Sequence, residues 1–324
     1  MTVNRATSKS RHYSGSGEAR RWLETACGPG SAEEIIRRLA LGFWHRNQTV
    51  NRQGERGRVL SGSVLMDWGR SVGIREITPP PLTQKAHITP CKNGFRLSLR
   101  ASTKEQRSYQ QAVRLKLELD PASRWDFAHE LGHIYFYDTS IDPPKRVYGH
   151  DVSGEETLCQ QFAAELLLPY DRLIRLSSSQ EQLTVESIVF VATAYGAPLR
   201  AVVRRLVQDI MALRAVCVII SSGVATSWPK RCLSDKPLPK TGIEIYSPPE
   251  PLLEITGEHL LRNEVVRQVC SSGTYCNSDI CQYYHDNSFF VEGLKLKTIA
   301  PRNACLFLFH EQKTVRMERL LFDR

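Results

Sequence analysis

His129 and His133 stand four positions apart, and Glu130 follows the first of them directly. On an α-helix, residues four apart share one face about a turn from each other, so the two imidazoles can grip a single metal ion. Glu130 would then lie beside the ion and not on it, placed to take a proton from a water molecule. Three fixed positions of this kind recur by chance in about one chain in sixty. The plainer reading is a surface helix with two unrelated histidines. Against it, Phe127, Ala128, Leu131, Ile134 and Phe136 make the surrounding helix apolar. Two imidazoles and a carboxylate are costly in such a setting unless paired or metal-bound. Gly132 leaves room there for a neighbouring element to approach.

A catalytic zinc takes three protein ligands and keeps one position open. Glu156 is the best third ligand. With Cys159, Ala163 and Leu167 it follows helical spacing, which sets its carboxylate on the stripe that should pack against the first helix. Two alternatives compete for the place. Glu155 lies about a hundred degrees around the same helix, and His150 could reach in from the preceding loop. Ser153-x-x-Glu156 is also a capping box, in which the glutamate would bond only backbone N–H groups.

Elements must hold these groups. Asp120 and Pro121 read as the N-cap and first position of a helix that runs through His133 to about Tyr137. Residues 138–152, with Pro143, Pro144 and Gly149, read as a loop, and a second helix runs from near Ser153 to before Pro169. Helices over 184–195 and 198–213 follow, hinged at Gly196. Upstream, Ile35, Ile36, Leu39 and Phe43 mark one buried face of a helix over 32–46. Residues 54–62 read as a Gly-rich loop, Pro79 to Pro81 as a stiff break, and 94–100 as a half-exposed strand. Val216 to Ile220 and Ala304 to Phe309 are strand candidates in a β-rich C-terminal part.

Composition bounds the function classes. At 324 residues the chain can hold two or three domains. No apolar run approaches the ~20 residues a membrane-spanning helix needs. The start, Met1 to Gly17, has no apolar signal core and reads as a disordered lead-in. Nine cysteines, an odd count, read as reduced thiols in a cytoplasmic protein. The net charge is +9, and residues 1–60 hold eleven Lys/Arg against five Asp/Glu. Without a compact basic run or interleaved aromatics, that bias reads as a solvated surface more than a nucleic-acid site.

The residues also carry a resemblance. The stretch Arg124-Trp-Asp-Phe-Ala-His-Glu-Leu-Gly-His133 resembles the helix of ImmA/IrrE-type metallopeptidases, where an Arg/Phe/Ala lead precedes H-E-L-G-H. Glu156-Thr-Leu-Cys-Gln-Gln-Phe-Ala-Ala-Glu-Leu-Leu-Leu-Pro169 is similar to that family's E-x-x-A-N-x-F-A-A-E-L-L-M-P, which sets Glu156 on its third zinc ligand. A third block, Ala192-x-x-Tyr195-Gly-Ala-Pro-x-x-Ala201-Val-x-x-Arg205-Leu206, is similar to the helical pair that follows. The blocks cover 124–213, and the strand near Phe95 fits with them. Cys159-Gln160 stands where Ala-Asn is usual, Pro198 where a capping serine is common, and Tyr137 where many members have a histidine.

The resemblance implies an α+β fold. A zincin-like, gluzincin-kind peptidase core with a helical hairpin would occupy 81–213, after a basic N-terminal region (1–80) and before a β-rich domain (214–324) to which analogy gives a sensory role. It implies a zinc endopeptidase, with His129, His133 and Glu156 on Zn²⁺ and Glu130 as general base. Its substrate would be a protein, a helix-turn-helix repressor in a stress or mobile-element response. The alternative function is a zinc-binding module that holds a repressor, an antitoxin or DNA without cutting it.

Two further constellations each have a plainer reading beside the functional one. Cys270, Cys276, Cys281 and His285 have spacing that a structural zinc can use, or are simply buried thiols and turn residues. The helices around Gly196, with Arg200, Arg204 and Arg205, can be read as a DNA-binding pair. The packing of Ile188, Val189, Ala192, Val202, Val203 and Leu206 favours a core hairpin instead.

Overall fold

The structure is a computed structural model. It describes residues 17–48, 62–78, 86–99, 119–147, 152–178, 184–210, 215–220, 243–247, 266, 276–284, 287–296 and 304–311. The expected lead-in at 1–16, most of the 54–62 loop, the proline run at 79–81 and His150 lie outside the described residues. The fold is mixed α+β. The chain divides into two compact units, residues 1–169 with 194–197, and residues 170–193 with 198–324.

In the first unit, α1 (Glu18–Ala26), α2 (Ala32–Gln48) and α3 (Gly62–Ser71) precede a sheet of β1 (Ile74–Thr78), β2 (His87–Cys91) and β3 (Gly94–Ser98). Helix α4 (Pro121–His133), the short strands β4 (Tyr137–Asp138) and β5 (Lys145–Arg146), and α5 (Val152–Leu167) follow. The α2 face is as its spacing predicts: Ile35, Ile36 and Phe43 are buried, with Ala32 and Ala40 beside them. Leu39 is half-buried. Phe43 meets Trp68 at 5.0 Å between ring centroids and Phe162 of α5 at 5.9 Å. Trp44 donates its indole N–H to the Leu166 carbonyl at 2.9 Å, so its buried ring leaves no orphan donor.

Strand β3 lies between β1, its parallel neighbour, and the antiparallel edge strand β2. The alternation of residues 94–100 suggests a half-exposed strand, but from Gly94 to Leu99 only Arg96 is exposed. The central position accounts for this, because both sheet faces are covered. Ser98 is buried within hydrogen-bonding distance of Thr78, 3.1 Å hydroxyl to hydroxyl. Gly94 is required for two reasons. Its φ is +149, and a Cβ there would lie 2.1 Å from the Gly73 carbonyl oxygen.

Asp120 caps α4, its carboxylate accepting the Ser123 N–H at 2.8 Å, with Pro121 in the first turn. The helix ends at His133, four residues short of the expected Tyr137. Ile134–Phe136 form a 3₁₀ turn and Tyr137 enters β4. β-Branched and aromatic side chains in succession hold a helix poorly, and Tyr137 instead pairs with Arg146 in the β4–β5 ladder. That ladder lies within the stretch read as a loop. The carbonyl of Tyr135 accepts the Trp22 indole N–H at 3.0 Å.

The second unit holds α6 (Tyr170–Ser178), most of α7 (Val185–Tyr195), and α8 (Leu199–Arg204), which widens into a π turn over Arg205–Asp209. Gly196, left-handed at φ +57, turns the chain between α7 and α8. A five-stranded antiparallel sheet follows in the order β7 (Ile243–Tyr246), β6 (Ala215–Ile220), β10 (Ala304–Glu311), β9 (Asn287–Leu296) and β8 (Cys276–Tyr284). Every residue of β6 is buried, as a strand between two partners under covered faces should be. Among the described residues no single helix is long and apolar enough to cross a membrane.

Candidate metal centre

Helices α4 and α5 pack side by side, and the contact is close at Gly132. A Cβ at that position would meet the Cys159 Cα at 3.1 Å and its Sγ at 3.2 Å. The glycine thus lets the two backbones approach where the chemistry sits. Residues 127–133 of α4 are all buried, including His129, Glu130 and His133.

The facing groups converge. His133 Nε2 lies 3.2 Å from His129 Nε2, and the rings stand nearly at right angles. Glu156, at the start of α5, puts one carboxylate oxygen 3.1 Å from His129 Nε2 and the other 3.4 Å from His133 Nε2. Its carboxyl reaches these rings from a side chain that is 48% exposed, so the group closes the site on the solvent side. Helix α5 already begins at Val152, which places Ser153 inside the first turn and not at the N-cap. Glu156 meets imidazoles, as the metal-ligand reading requires.

Glu155 points elsewhere. It is buried, with one oxygen 2.5 Å from His133 Nδ1 and 3.1 Å from an Arg146 guanidinium nitrogen. It engages the opposite ring nitrogen from the one that meets Glu156. Sequence reading weighed it only as a rival ligand. The signal available was its adjacency to Glu156, since neighbouring helical positions diverge by about a hundred degrees.

Glu130 lies with His129 and His133 in a group whose ligand atoms are all within 4.8 Å of one another. Burial pushes its carboxyl up to about 7, opposed by the His133 charge and by the Ile88 backbone N–H that bonds to it. The edge strand β2 therefore supplies a contact that no spacing from the motif signals.

The electrostatics set the two imidazoles apart. His129 is lowered to about 4, by burial and then by the charge on His133. Burial alone would lower His133 too, but contacts with Cys159, Glu155 and Glu156 outweigh it and raise it. Glu156 is held down at about 2 by its hydrogen bond with His133, against partial burial. The other ring nitrogen of His129, Nδ1, is buried with no hydrogen-bond partner among the described residues. Three electron-pair donors this close, the two Nε2 atoms and the Glu156 carboxylate, suit a cation held between them.

The spacing suits such a cation. Bonds of ~2.0–2.1 Å around a tetrahedral zinc set its donors about 3.3–3.4 Å apart, and the three separations here are 3.1, 3.2 and 3.4 Å. His133, Glu155 and Cys159 form a second, wholly buried group within 4.8 Å. Burial pushes the Cys159 thiol up to about 12, which keeps it protonated and a poor ligand.

Residues 95–207 match the model of the IrrE N-terminal-like domain, a peptidase family. The match opens at the strand near Phe95, holds all four residues of the candidate centre and ends at Val207. A solved structure described as a Mycobacterium tuberculosis transcriptional regulator is similar over 95% of this chain and 97% of that one. At 14% identity and a TM-score of 0.43, that likeness is too loose to carry function. No curated protein matches the chain.

The other sequence candidates fare differently. Tyr137 stacks edge-on against Phe95 at 5.2 Å and Tyr135 lies 5.6 Å from Phe162, so both rings serve packing. Arg200 forms an ion pair with Glu244, and Arg205 is buried within 3.4 Å of Asp209, so two of the three arginines are engaged inside their own unit. Ile188, Ala192, Val202, Val203 and Leu206 are buried. Cys276 and Cys281 lie on β8, but their side chains, and Cys270 and His285 altogether, lie outside the described residues.

Proposed function

We propose that this chain is a zinc-dependent endopeptidase. The carrying observation is the meeting of His129 Nε2, His133 Nε2 and the Glu156 carboxylate within 3.4 Å, with Glu130 buried beside them. These three would hold the ion. The chemistry that zinc would supply there is to make water more acidic, toward ~7, and to polarise a scissile carbonyl. Glu130 takes the proton from the attacking water and returns it to the departing amine. Its carboxyl, raised to about 7 by burial, is suited to both directions of that transfer near neutral pH. Solvent and peptide would enter on the side that Glu156 closes.

In this reading the core spans 81–213 and is zincin-like, the basic region 1–80 precedes it, and the β-rich part 214–324 has a sensory role. The protein acts in the cytoplasm on a helix-turn-helix repressor, the partner that the ImmA/IrrE resemblance implies. The test is cleavage of such a repressor, taken from a neighbouring gene, by the full chain loaded with one equivalent of zinc. Glu130→Gln should retain the zinc and lose cleavage by about 10²–10⁴-fold. A Glu130→Gln chain that cuts as fast as the native one would remove the peptidase assignment; a native chain that binds the repressor without cutting it would favour the holding module.

A further inference from the structure

The hairpin formed by β4 and β5 returns Arg146 to the back of the candidate centre. Tyr137 and Arg146 are paired across the ladder, and the guanidinium lies over the Tyr137 ring, 5.5 Å from its centroid. From there a guanidinium nitrogen reaches 3.1 Å from Glu155 Oε1, the same oxygen that lies 2.5 Å from His133 Nδ1. The three groups form a chain running from the half-exposed hairpin inward: Arg146, Glu155, His133. Glu155 is 1% exposed, so its charge is nearly removed from water.

We infer that Glu155 and Arg146 are positioning residues, which fix the proton of His133 on Nδ1 and so aim the Nε2 lone pair at the metal position. The inference rests on the metal-centre reading above and deepens it. The argument is one of charge. A histidine that gives Nε2 to a cation must be neutral, with its remaining proton on Nδ1. Glu155 accepts that proton in a hydrogen bond but then faces no imidazolium. A buried carboxylate beside a neutral ring is costly unless a cation compensates it. Arg146 supplies the cation from outside the ligand set, and it cannot itself lose its proton. With Arg146 beside it, Glu155 keeps a compensated charge when His133 serves as a neutral ligand of a dication. Tyr137 explains how Arg146 is held, since the ring beneath the guanidinium is itself packed against Phe95.

The test measures zinc affinity of the full chain by competition with a chromogenic chelator, and its readout is independent of any peptidase assay. Glu155→Ala should weaken zinc about 10–100-fold. Glu155→Gln, which keeps an acceptor oxygen, should recover part of that loss. Arg146→Gln should weaken zinc less than Glu155→Ala, and should add nothing in the Glu155→Gln background, because Arg146 acts through Glu155. In the zinc-loaded native chain, nitrogen-15 spectra of labelled histidine should show a solvent-protected Nδ1–H at His133, absent in Glu155→Ala. Should Glu155→Ala fail to fold when its metal-free melting is compared with the native chain, Glu155→Gln and Arg146→Gln carry the test. Zinc binding within about twofold of native in all of these variants, while His129→Ala has lost it, would overturn the inference and leave the metal centre standing. A native chain that takes up no zinc, or a His129→Ala chain that binds it as tightly, would remove the metal centre and this inference together.

Discussion

Glu155 and Glu156 are adjacent in sequence and address opposite nitrogens of His133, which is the finest distinction the site makes. A carboxylate at 156 meets both Nε2 atoms, and one at 155 reaches only the back of a single ring. The two should therefore respond differently to removal. Glu156→Ala should abolish measurable zinc binding together with His129→Ala and His133→Ala, as equilibrium dialysis can check. Glu155→Ala should leave binding present but weaker. Motif spacing singles out His129, Glu130 and His133, whereas Glu156 stands ahead of Glu155 and His150 only on helical spacing together with the ImmA/IrrE resemblance. Sequence reading could not reach Arg146 or the Ile88 N–H, since both arrive through β pairing across residues that have no fixed spacing from the motif.

At the scale of elements, the site depends on how closely α4 and α5 approach. Gly132→Ala places a methyl 3.1–3.3 Å from the backbone and side chain of Cys159. Overpacking of this kind costs about 1–3 kcal/mol, against a gain of up to about 1 kcal/mol in helix propensity. The variant should be less stable in urea denaturation and should bind zinc more weakly, because the two ligand helices are pushed apart. An unchanged midpoint with full zinc affinity would show that the contact is slack. Asp120→Ala, which removes the side-chain bond to the Ser123 N–H, should lower stability by about 1 kcal/mol without moving the zinc affinity. The caps and long helices were legible: Asp120-Pro121 opens α4 and the α5 helix stops before Pro169. The short helices α1, α3 and α6 were not, because nine or ten residues give a weak period. The end of α4 was misplaced for a tertiary reason, the pairing of Tyr137 with Arg146.

For the whole molecule, ligand linkage makes zinc a source of stability localised to one unit. Zinc at about a thousand times its dissociation constant adds about 4 kcal/mol to the state that binds it. Chelation should therefore speed hydrogen exchange in 121–167, where the ligand helices lie, and leave the sheet of 215–220 and 304–311 unchanged. Exchange that rises equally in both would mean that the metal sits elsewhere. The charge of +9 did not forecast a partner, and the ion pairs of Arg37 with Glu165 and of Arg200 with Glu244 show part of it used inside the fold.

X-ray absorption at the zinc edge of the purified full chain, carrying one equivalent of metal, addresses the central claim without any substrate. The account predicts a first shell of nitrogen and oxygen at ~2.0–2.1 Å, with imidazole scattering from two histidines and no sulfur. A shell dominated by sulfur at ~2.3 Å would place the ion on cysteines and contradict it.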